Sequence, residues 1–515
     1  MQGNKQFSEK LFTHFQLSDR VPADNFYRRL KEVLNLQWLY KATKQYYGTE
    51  GQQSIDPVVF FKLILIGYLE NLGSDRRIIN TVSMRLDMLF FTGYDIDEPL
   101  PWHSTLSRTR QLYGEELFRQ LFKDVLKQCI DKGMVGGRRQ VMDSVAVKAN
   151  AGMDSLREKE ILEDGSAYAD ELKAATEEES KEENEDSGTN KTVSAARNKA
   201  VQLHHQWKTQ AYKNMPGGEN RKYVSNHTHY STTDPDARVS VKPGKPRQLN
   251  YAAQVSVDAA HHVITQIQAD HADKKDSQCL PSLLTHTIDN LKEEGLQIEE
   301  VYADAGYSSG EALKALEQNN ITGYIPNFGQ YKPTREGFTY EKENDRYVCS
   351  QGKYLPFKKI TTTSLGYKMK VYRSSSKDCG KCPLRSVCIG KSDFKKIDDT
   401  IDKPLYDRMH ARLESVNRIK IKRLRSSTVE PVLGTLVNFL AMRRVNTRGI
   451  KQASKCMLMS AIAYNLKKLL NWEQGKIKTA VMKMKKAEKG LCLLILKLGL
   501  SGTRHSRFQT KYISC

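Results

Sequence analysis

The stretch Val301-Tyr302-Ala303-Asp304-Ala305-Gly306-Tyr307 decides the fold, because an apolar run stops there on a carboxylate and turns at a glycine. Such a run reads as a buried strand that delivers Asp304 to its carboxyl end, where open α/β sheets keep their chemistry. The local alternative is that Asp304 only caps the helix opened by Ser308-Ser309-Gly310-Glu311-Ala312-Leu313, since strand-to-helix turns favour acids for their own hydrogen bonds. Two further carboxylates bear on the choice.

After Gly136-Gly137, the run Arg138-Arg139-Gln140-Val141-Met142-Asp143-Ser144-Val145-Ala146-Val147 has the β-branched content of a strand. Period-two counting sets Asp143 on the side of Val141, Val145 and Val147. Burying a carboxylate there is costly unless it meets a cation, so either a metal ion or a nearby arginine is required. Residues 249–257 and 263–269 read as a hairpin joined by Asp258-Ala259-Ala260-His261-His262. A helix over 277–294 leads into the Asp304 strand, and a helix over 310–318 and a strand over 321–326 follow. The expected order is strand, insertion, strand, strand, helix, strand, helix, strand, which is that of an α/β, ribonuclease-H-like mixed sheet.

The chain has 515 residues, so two or three domains are expected. Its net charge of +21, from 81 basic and 60 acidic residues, points to a polyanionic partner such as nucleic acid or an anionic membrane surface. There is no amino-terminal apolar run resembling a signal peptide, and the apolar stretch 491–500 is about half the ~20 residues a membrane helix needs. The expectation is a soluble, cytosolic protein.

Asp56-Pro57 opens a helix whose apolar run, 58–72, stops at Gly73. Ser74 caps the next, which runs toward Phe91 and Gly93, and Pro101-Trp102-His103-Ser104 starts a short helix bearing Arg108 and Arg110. Three linked helices with a basic last member suit a helix-turn-helix-like DNA reader, or a plain helical packing module. Residues 158–186 are dense in Glu and Asp, the mark of a solvated helix or disordered insertion. A basic piece over 191–213 and a polar loop through Asn220, His227 and His229 precede Ser231-Thr232-Thr233-Asp234-Pro235-Asp236-Ala237-Arg238.

Four of the nine cysteines, Cys349, Cys379, Cys382 and Cys388, have the spacing C-x29-C-x2-C-x5-C. A C-x2-C knuckle supplies two ligands of a tetrahedral zinc site from one turn, so a structural Zn²⁺ is expected, with unpaired thiols as the alternative. Nearby aromatic and lysine residues, including Tyr354, Phe357, Lys358, Lys359, Tyr367, Lys368, Lys370 and Tyr372, fit either a DNA contact or an exposed sheet face. Further on, helical spacing groups Glu430 with Leu433, Val437 and Leu440, so a third carboxylate is expected to look inward. Alternatively, Ser427 and Glu430 form a capping box with Pro431 at a helix start. Flanking cations, among them Arg423, Arg425, Arg443, Arg444 and Arg448, favour a phosphate-rich neighbour.

Asp143, Asp304 and Glu430, on strand, strand and helix, resemble the catalytic triad of the DDE transposases of bacterial insertion sequences. The resemblance runs over roughly residues 20–470. It includes the helices of 56–110, the Ser231–Arg238 stretch, the late cysteines, Val429-Glu430-Pro431-Val432, Arg443-Arg444 and Arg448-Gly449. It implies that the three acids ligate two Mg²⁺ or Mn²⁺ ions, which activate water to nick the element ends and then the freed 3′-hydroxyl to attack target DNA. It also implies double-stranded DNA as partner, both terminal inverted repeats and target, a homo-oligomer on DNA, no membrane, and a bacterial cytoplasmic, nucleoid-associated location. Where related sequences often carry a lysine after the glutamate, this chain has Val437.

The expected division is a helical DNA-binding domain over 1–130 and a catalytic domain over 136–330 that holds an acidic and helical insertion at 150–230. A cysteine-bearing insertion over 331–400, the end of the catalytic domain over 401–472 and a basic tail over 473–515 complete it. The competing functions are a non-catalytic DNA-binding relative that represses transposition, and a nuclease without strand transfer.

Overall fold

β1 (Arg139–Lys148) carries Val141, Val145 and Val147, whose branched side chains pack well on a pleated surface, and it is paired along both edges. The computed structural model describes residues 16–48, 54–159, 225–226, 228–240, 246–327, 331–363 and 366–499, without the side chains of 474 and 476–499. Most of the acidic stretch of 158–186, the basic piece over 191–213, Asn220, His227 and the chain beyond 499 lie outside the described residues.

Two short strands, β2 (Leu156–Glu158) and β3 (His229–Ser231), pair antiparallel. β4 (Arg238–Ser240) and β6 (Ile264–His271) both pair with β5 (Gln248–Asp258), giving the expected hairpin. β7 (Glu300–Tyr302) lies between β1 and β8 (Thr322–Tyr324). The resulting six-stranded sheet runs β6-β5-β1-β7-β8, with β4 also on β5. It is antiparallel from β6 to β1 and parallel from β1 to β8, so the architecture is mixed α/β. Buried Asp258 fixes the entry to β1 by accepting hydrogen bonds from Gly136 N, Gly137 N and the Gln140 side chain.

Alternation along β1 divides the molecule. Met142 faces a core with Leu280, Leu283 and Leu284 of the Asp276–Lys292 helix, Leu313 of the Gly310–Gln318 helix and Met409 of the Lys403–Ser415 helix. Val141 and Val147 face the opposite core, which contains Val429, Val432 and Leu436 of the Arg418–Phe439 helix. The Ile450–Gly499 helix belongs to that core too, packing on β6, on the Glu115–Asp131 helix and on the Pro57–Leu69 helix. The amino-terminal helices and the sheet therefore share one continuous apolar core.

The start of the Ile450–Gly499 helix is pinned by the Ser231–Arg238 stretch. Asp234 accepts from Gly449 N at 3.0 Å and from Tyr251 Oη at 2.7 Å, while Asp236 accepts from Ile450 N at 2.9 Å. These carboxylates answer orphan N–H groups at a helix amino end, where negative charge is also favourable.

In the amino-terminal region Asp56 caps the Pro57–Leu69 helix and Ser74 caps the next, as expected. The single helix expected toward Phe91 is instead broken at Met84-Arg85 into Asp75–Ser83 and Leu86–Thr92. Arg85 turns extended there and its guanidinium pairs with Glu70 and Asp87, a tertiary contact that outweighs helix continuation. Gly93 ends the second piece in the left-handed conformation that favours glycine.

A separate antiparallel sheet follows the main one: β9 (Phe338–Glu341), β10 (Arg346–Cys349), β11 (Tyr354–Thr362), β12 (Lys368–Arg373) and β13 (Lys396–Thr400), paired in sequence order. Its small core is Tyr347, Leu355, Tyr372 and Ile397. Tyr372 is thus interior, whereas Tyr354, Phe357 and Tyr367 are exposed.

Candidate active site

β1 and β7 run parallel with Val141 opposite Tyr302. Two residues further along stand Asp143, still on β1, and Asp304, just past the end of β7, so the parallel register leads both carboxylates to the same side-by-side position. The Arg425 guanidinium of the Arg418–Phe439 helix faces them together: Nη1 lies 3.7 Å from Asp143 Oδ2 and 3.9 Å from Asp304 Oδ2.

The two acids differ in environment. The Asp143 side chain is 18% exposed and accepts from Ser144 N at 2.8 Å. Burial pushes its carboxyl up to about 6; the neighbouring Asp304 charge adds to the rise, while the Ser144 N–H and Arg425 oppose it. Asp304 is 39% exposed and accepts from Gly306 N at 2.9 Å, capping the short turn Ala305–Tyr307. The local reading of Asp304 is corrected in one respect: the Gly310–Gln318 helix is capped by Ser309, which accepts from Ala312 N. Asp304 is left free to face the same guanidinium as Asp143.

Glu430 departs from the expectation. It is exposed, and the fully buried positions of its helix are Thr428, Val429, Val432 and Leu436, with Leu433 and Val437 only partly buried against the same core. The capping-box alternative fails as well, because the helix begins at Arg418 behind an Asn417 cap and Pro431 lies inside it. Ser427 instead donates to Leu424 O. Among the described residues no group of three or more His, Cys, Asp or Glu side chains is gathered closely enough to hold a metal ion. The structure therefore brings Asp143 and Asp304 together and leaves Glu430 outside the pair.

The donor chemistry of that pair fits a divalent cation: hard carboxylate oxygens from β1 and from the turn after β7, with a positive group already facing both. The cysteines are not brought together in this way. Cys379 and Cys382 do form a tight turn, with Cys382 N donating to Cys379 O, but all four of Cys349, Cys379, Cys382 and Cys388 are half-buried free thiols outside any metal-holding group.

The basic residues divide by burial. Arg108, Arg423, Arg443, Arg444 and Arg448 are exposed and open to a phosphate backbone. Arg443 and Arg444 reach the end of β1, where Lys148 N donates to Arg443 O and Lys148 bridges Arg444. Arg110 is corrected: its side chain is 4% exposed and forms a two-fold hydrogen-bonded pair with Asp75 at 2.6 and 3.0 Å, so it holds helices together. Arg425 is turned toward the aspartates instead of outward.

Sequence reading missed Asp276, Gln254 and Tyr307, which lie behind the pair. Gln254 Nε2 donates to Asp276 Oδ1 at 2.9 Å and Tyr307 Oη donates to Gln254 Oε1 at 2.5 Å. The available signal was an acid at the start of the helix after β6, which pattern alone does not separate from a helix-dipole residue.

With this geometry in hand, two family models match the chain. One, described as Transposase domain (DUF772), covers residues 15–112, and the other, described as Transposase DDE domain, covers residues 348–470. The first holds the amino-terminal helices, and the second holds Glu430 and begins after Asp304. Both matches are to transposase domains. Together they support a DDE transposase of the insertion-sequence type. A search of curated proteins returned no match.

Proposed function

We propose that this chain cuts the ends of its insertion sequence in a metal-dependent reaction and joins them to target DNA. The observation that carries the reading is the juxtaposition of Asp143 and Asp304 at the same level of adjacent parallel strands, facing a common cation. The strand order β6-β5-β1-β7-β8, antiparallel and then parallel, supports a ribonuclease-H-like sheet. Its exposed arginines and its net charge of +21 support a DNA partner.

Asp143 and Asp304 would hold divalent ions, with Glu430 as the third carboxylate supplied from the Arg418–Phe439 helix. When bound, Mg²⁺ or Mn²⁺ supplies Lewis-acid stabilisation of the attacking and leaving oxygens of an in-line phosphodiester displacement. Arg425 then exchanges its carboxylate partners for a DNA phosphate, keeping its charge close to the reacting group. Hydrolysis breaks a phosphodiester bond at the element end and frees a 3′-hydroxyl. That hydroxyl attacks a target phosphate in the second step, forming one P–O bond as another breaks. Arg108, Arg423, Arg443, Arg444 and Arg448 bind backbone phosphates of the inverted repeats and the target.

A second reading, a DNA-occupying relative that represses movement, is favoured by Arg425 facing the carboxylates and by Glu430 lying outside their group. Labelled DNA carrying the gene's own flanking sequences separates the two. Cleavage at the repeat ends with Mg²⁺ or Mn²⁺, lost in Asp143→Asn, Asp304→Asn and Glu430→Gln while DNA binding persists, is the expected result. Binding without cleavage by the wild type under either metal would select the repressor.

A further inference from the structure

The carboxylate of Asp276 stands next to the Asp143–Asp304 pair without belonging to it. Asp276 opens the Asp276–Lys292 helix on the face of the sheet opposite the Arg418–Phe439 helix. One of its oxygens accepts from Gln254, and the other faces Gly306: a Cβ built there would meet Asp304 Oδ1 at 3.0 Å and Asp276 Oδ2 at 3.5 Å. The turn that presents Asp304 is thus seated directly against Asp276.

The hydrogen-bonded chain continues through fully buried groups. Gln254 lies opposite Ser144 across the β1–β5 ladder, one residue from the Asp143–Val255 pair. Tyr307, three residues after Asp304, donates to the other end of the same amide. Burial and the neighbouring Asp276, Asp143 and Asp304 charges hold the Tyr307 phenol well above its ordinary value, so it stays a donor. An amide can satisfy a phenol and a carboxylate at once only in one orientation, with its oxygen toward Tyr307 and its nitrogen toward Asp276. Asp276, Gln254 and Tyr307 therefore tie three elements together behind the site: the helix after β6, strand β5 and the turn after β7.

We propose that Asp276 is a positioning residue of the metal-dependent cleavage site, holding the Asp304 turn at the level of Asp143 through Gln254 and Tyr307. The role rests on the reading of Asp143 and Asp304 as metal ligands. Asp276 acts behind the ligands, because its Oδ1 is committed to Gln254 and its Oδ2 faces the Gly306 turn. Residues that orient ligands from behind change metal affinity by about 10- to 100-fold when removed.

Calorimetric titration of Mn²⁺ into the full chain tests this without relying on turnover. Asp276→Ala, Gln254→Ala and Tyr307→Phe are expected to weaken Mn²⁺ binding about tenfold or more. The Asp276→Ala and Gln254→Ala effects are expected to be non-additive in the double variant, since both cut one chain. Asp276→Asn, which keeps an oxygen for Gln254, is expected to stay within about threefold of wild type and to rescue end cleavage. Tyr307→Phe keeps the buried ring and remains informative if Asp276→Ala fails to fold. Asp276→Asn binding as weakly as Asp276→Ala would overturn the proposal in favour of direct ligation, and additive effects or wild-type affinity in the alanine variants would overturn it outright. Asp304→Asn is the control for the underlying reading. If it leaves Mn²⁺ binding unchanged, or if the wild type binds none, the metal site itself is wrong and the positioning role falls with it.

Discussion

Val141 and Tyr302 are the final registered pair of the parallel β1–β7 ladder, and the distance from that pair to Asp143 and Asp304 is two residues on each strand. Equal offsets on parallel strands keep the two carboxylates level. Asparagine at either place preserves volume but removes the charge a divalent ion needs. Asp143→Asn and Asp304→Asn should each lower end cleavage by on the order of a thousandfold, with binding of the same DNA retained in a gel-shift measurement.

The raised carboxyl of Asp143 has a stability consequence. Its value in the folded chain, about 6, lies above its ordinary 3.8, so the folded state holds the proton more tightly than the unfolded state. In metal-free buffer the contribution from Asp143 should be most favourable below pH 4 and be lost as pH rises to about 6, by roughly 2–3 kcal/mol. Denaturant unfolding across that window measures it, and Asp143→Asn should flatten the slope.

Arg108 and Arg110 are two residues apart and should behave oppositely. Arg110→Met leaves Asp75 buried without its partner and should cost about 3–5 kcal/mol in unfolding experiments. Arg108→Ala, at an exposed position, should change stability by less than about 0.5 kcal/mol. If Arg108 meets a phosphate, its loss should reduce the salt dependence of DNA binding by about one counterion, measured from affinity against salt concentration.

Gly306 has the closest approach to the site. A Cβ at 3.0 Å from Asp304 Oδ1 forces the carboxylate to move, and alanine's ordinary backbone preference meets no positive φ there. Gly306→Ala should therefore lower cleavage by tenfold or more, on the order expected for a misplaced catalytic group, while shifting stability by less than about 1 kcal/mol. Parallel melting and cleavage assays separate the two effects.

The pin at the start of the Ile450–Gly499 helix is structural. Asp234→Ala removes the acceptor of both Gly449 N and Tyr251 Oη in a fully buried place and should destabilise by about 2–4 kcal/mol. Tyr251→Phe should cost less, about 1–2 kcal/mol, because the Gly449 contact remains. Chemical unfolding of both variants checks the ranking.

Much of the sheet was legible because its signals are local. A buried strand leading to Asp304, the β5–β6 hairpin and the caps at Asp56 and Ser74 each follow from residue periodicity and turn chemistry within a short window. The helix break at Arg85 did not, since its cause is an ion pair with Glu70, fifteen residues earlier in the chain.

The sequence by itself determined the strand and helix order, the excess positive charge, and the two aspartates on runs of strand character. Helical periodicity could not decide where Glu430 points, because a 22-residue helix crossed by Pro431 offers more than one apolar stripe, and packing against β1 chose Val429, Val432 and Leu436. Nor could composition tell an outward arginine from an inward one: Arg110 is turned toward Asp75 and Arg425 toward the carboxylates. Only the tertiary structure decided these, and with them the chain Asp276–Gln254–Tyr307, because the cost of leaving a buried charge or donor unpaired is settled by neighbours far away in sequence.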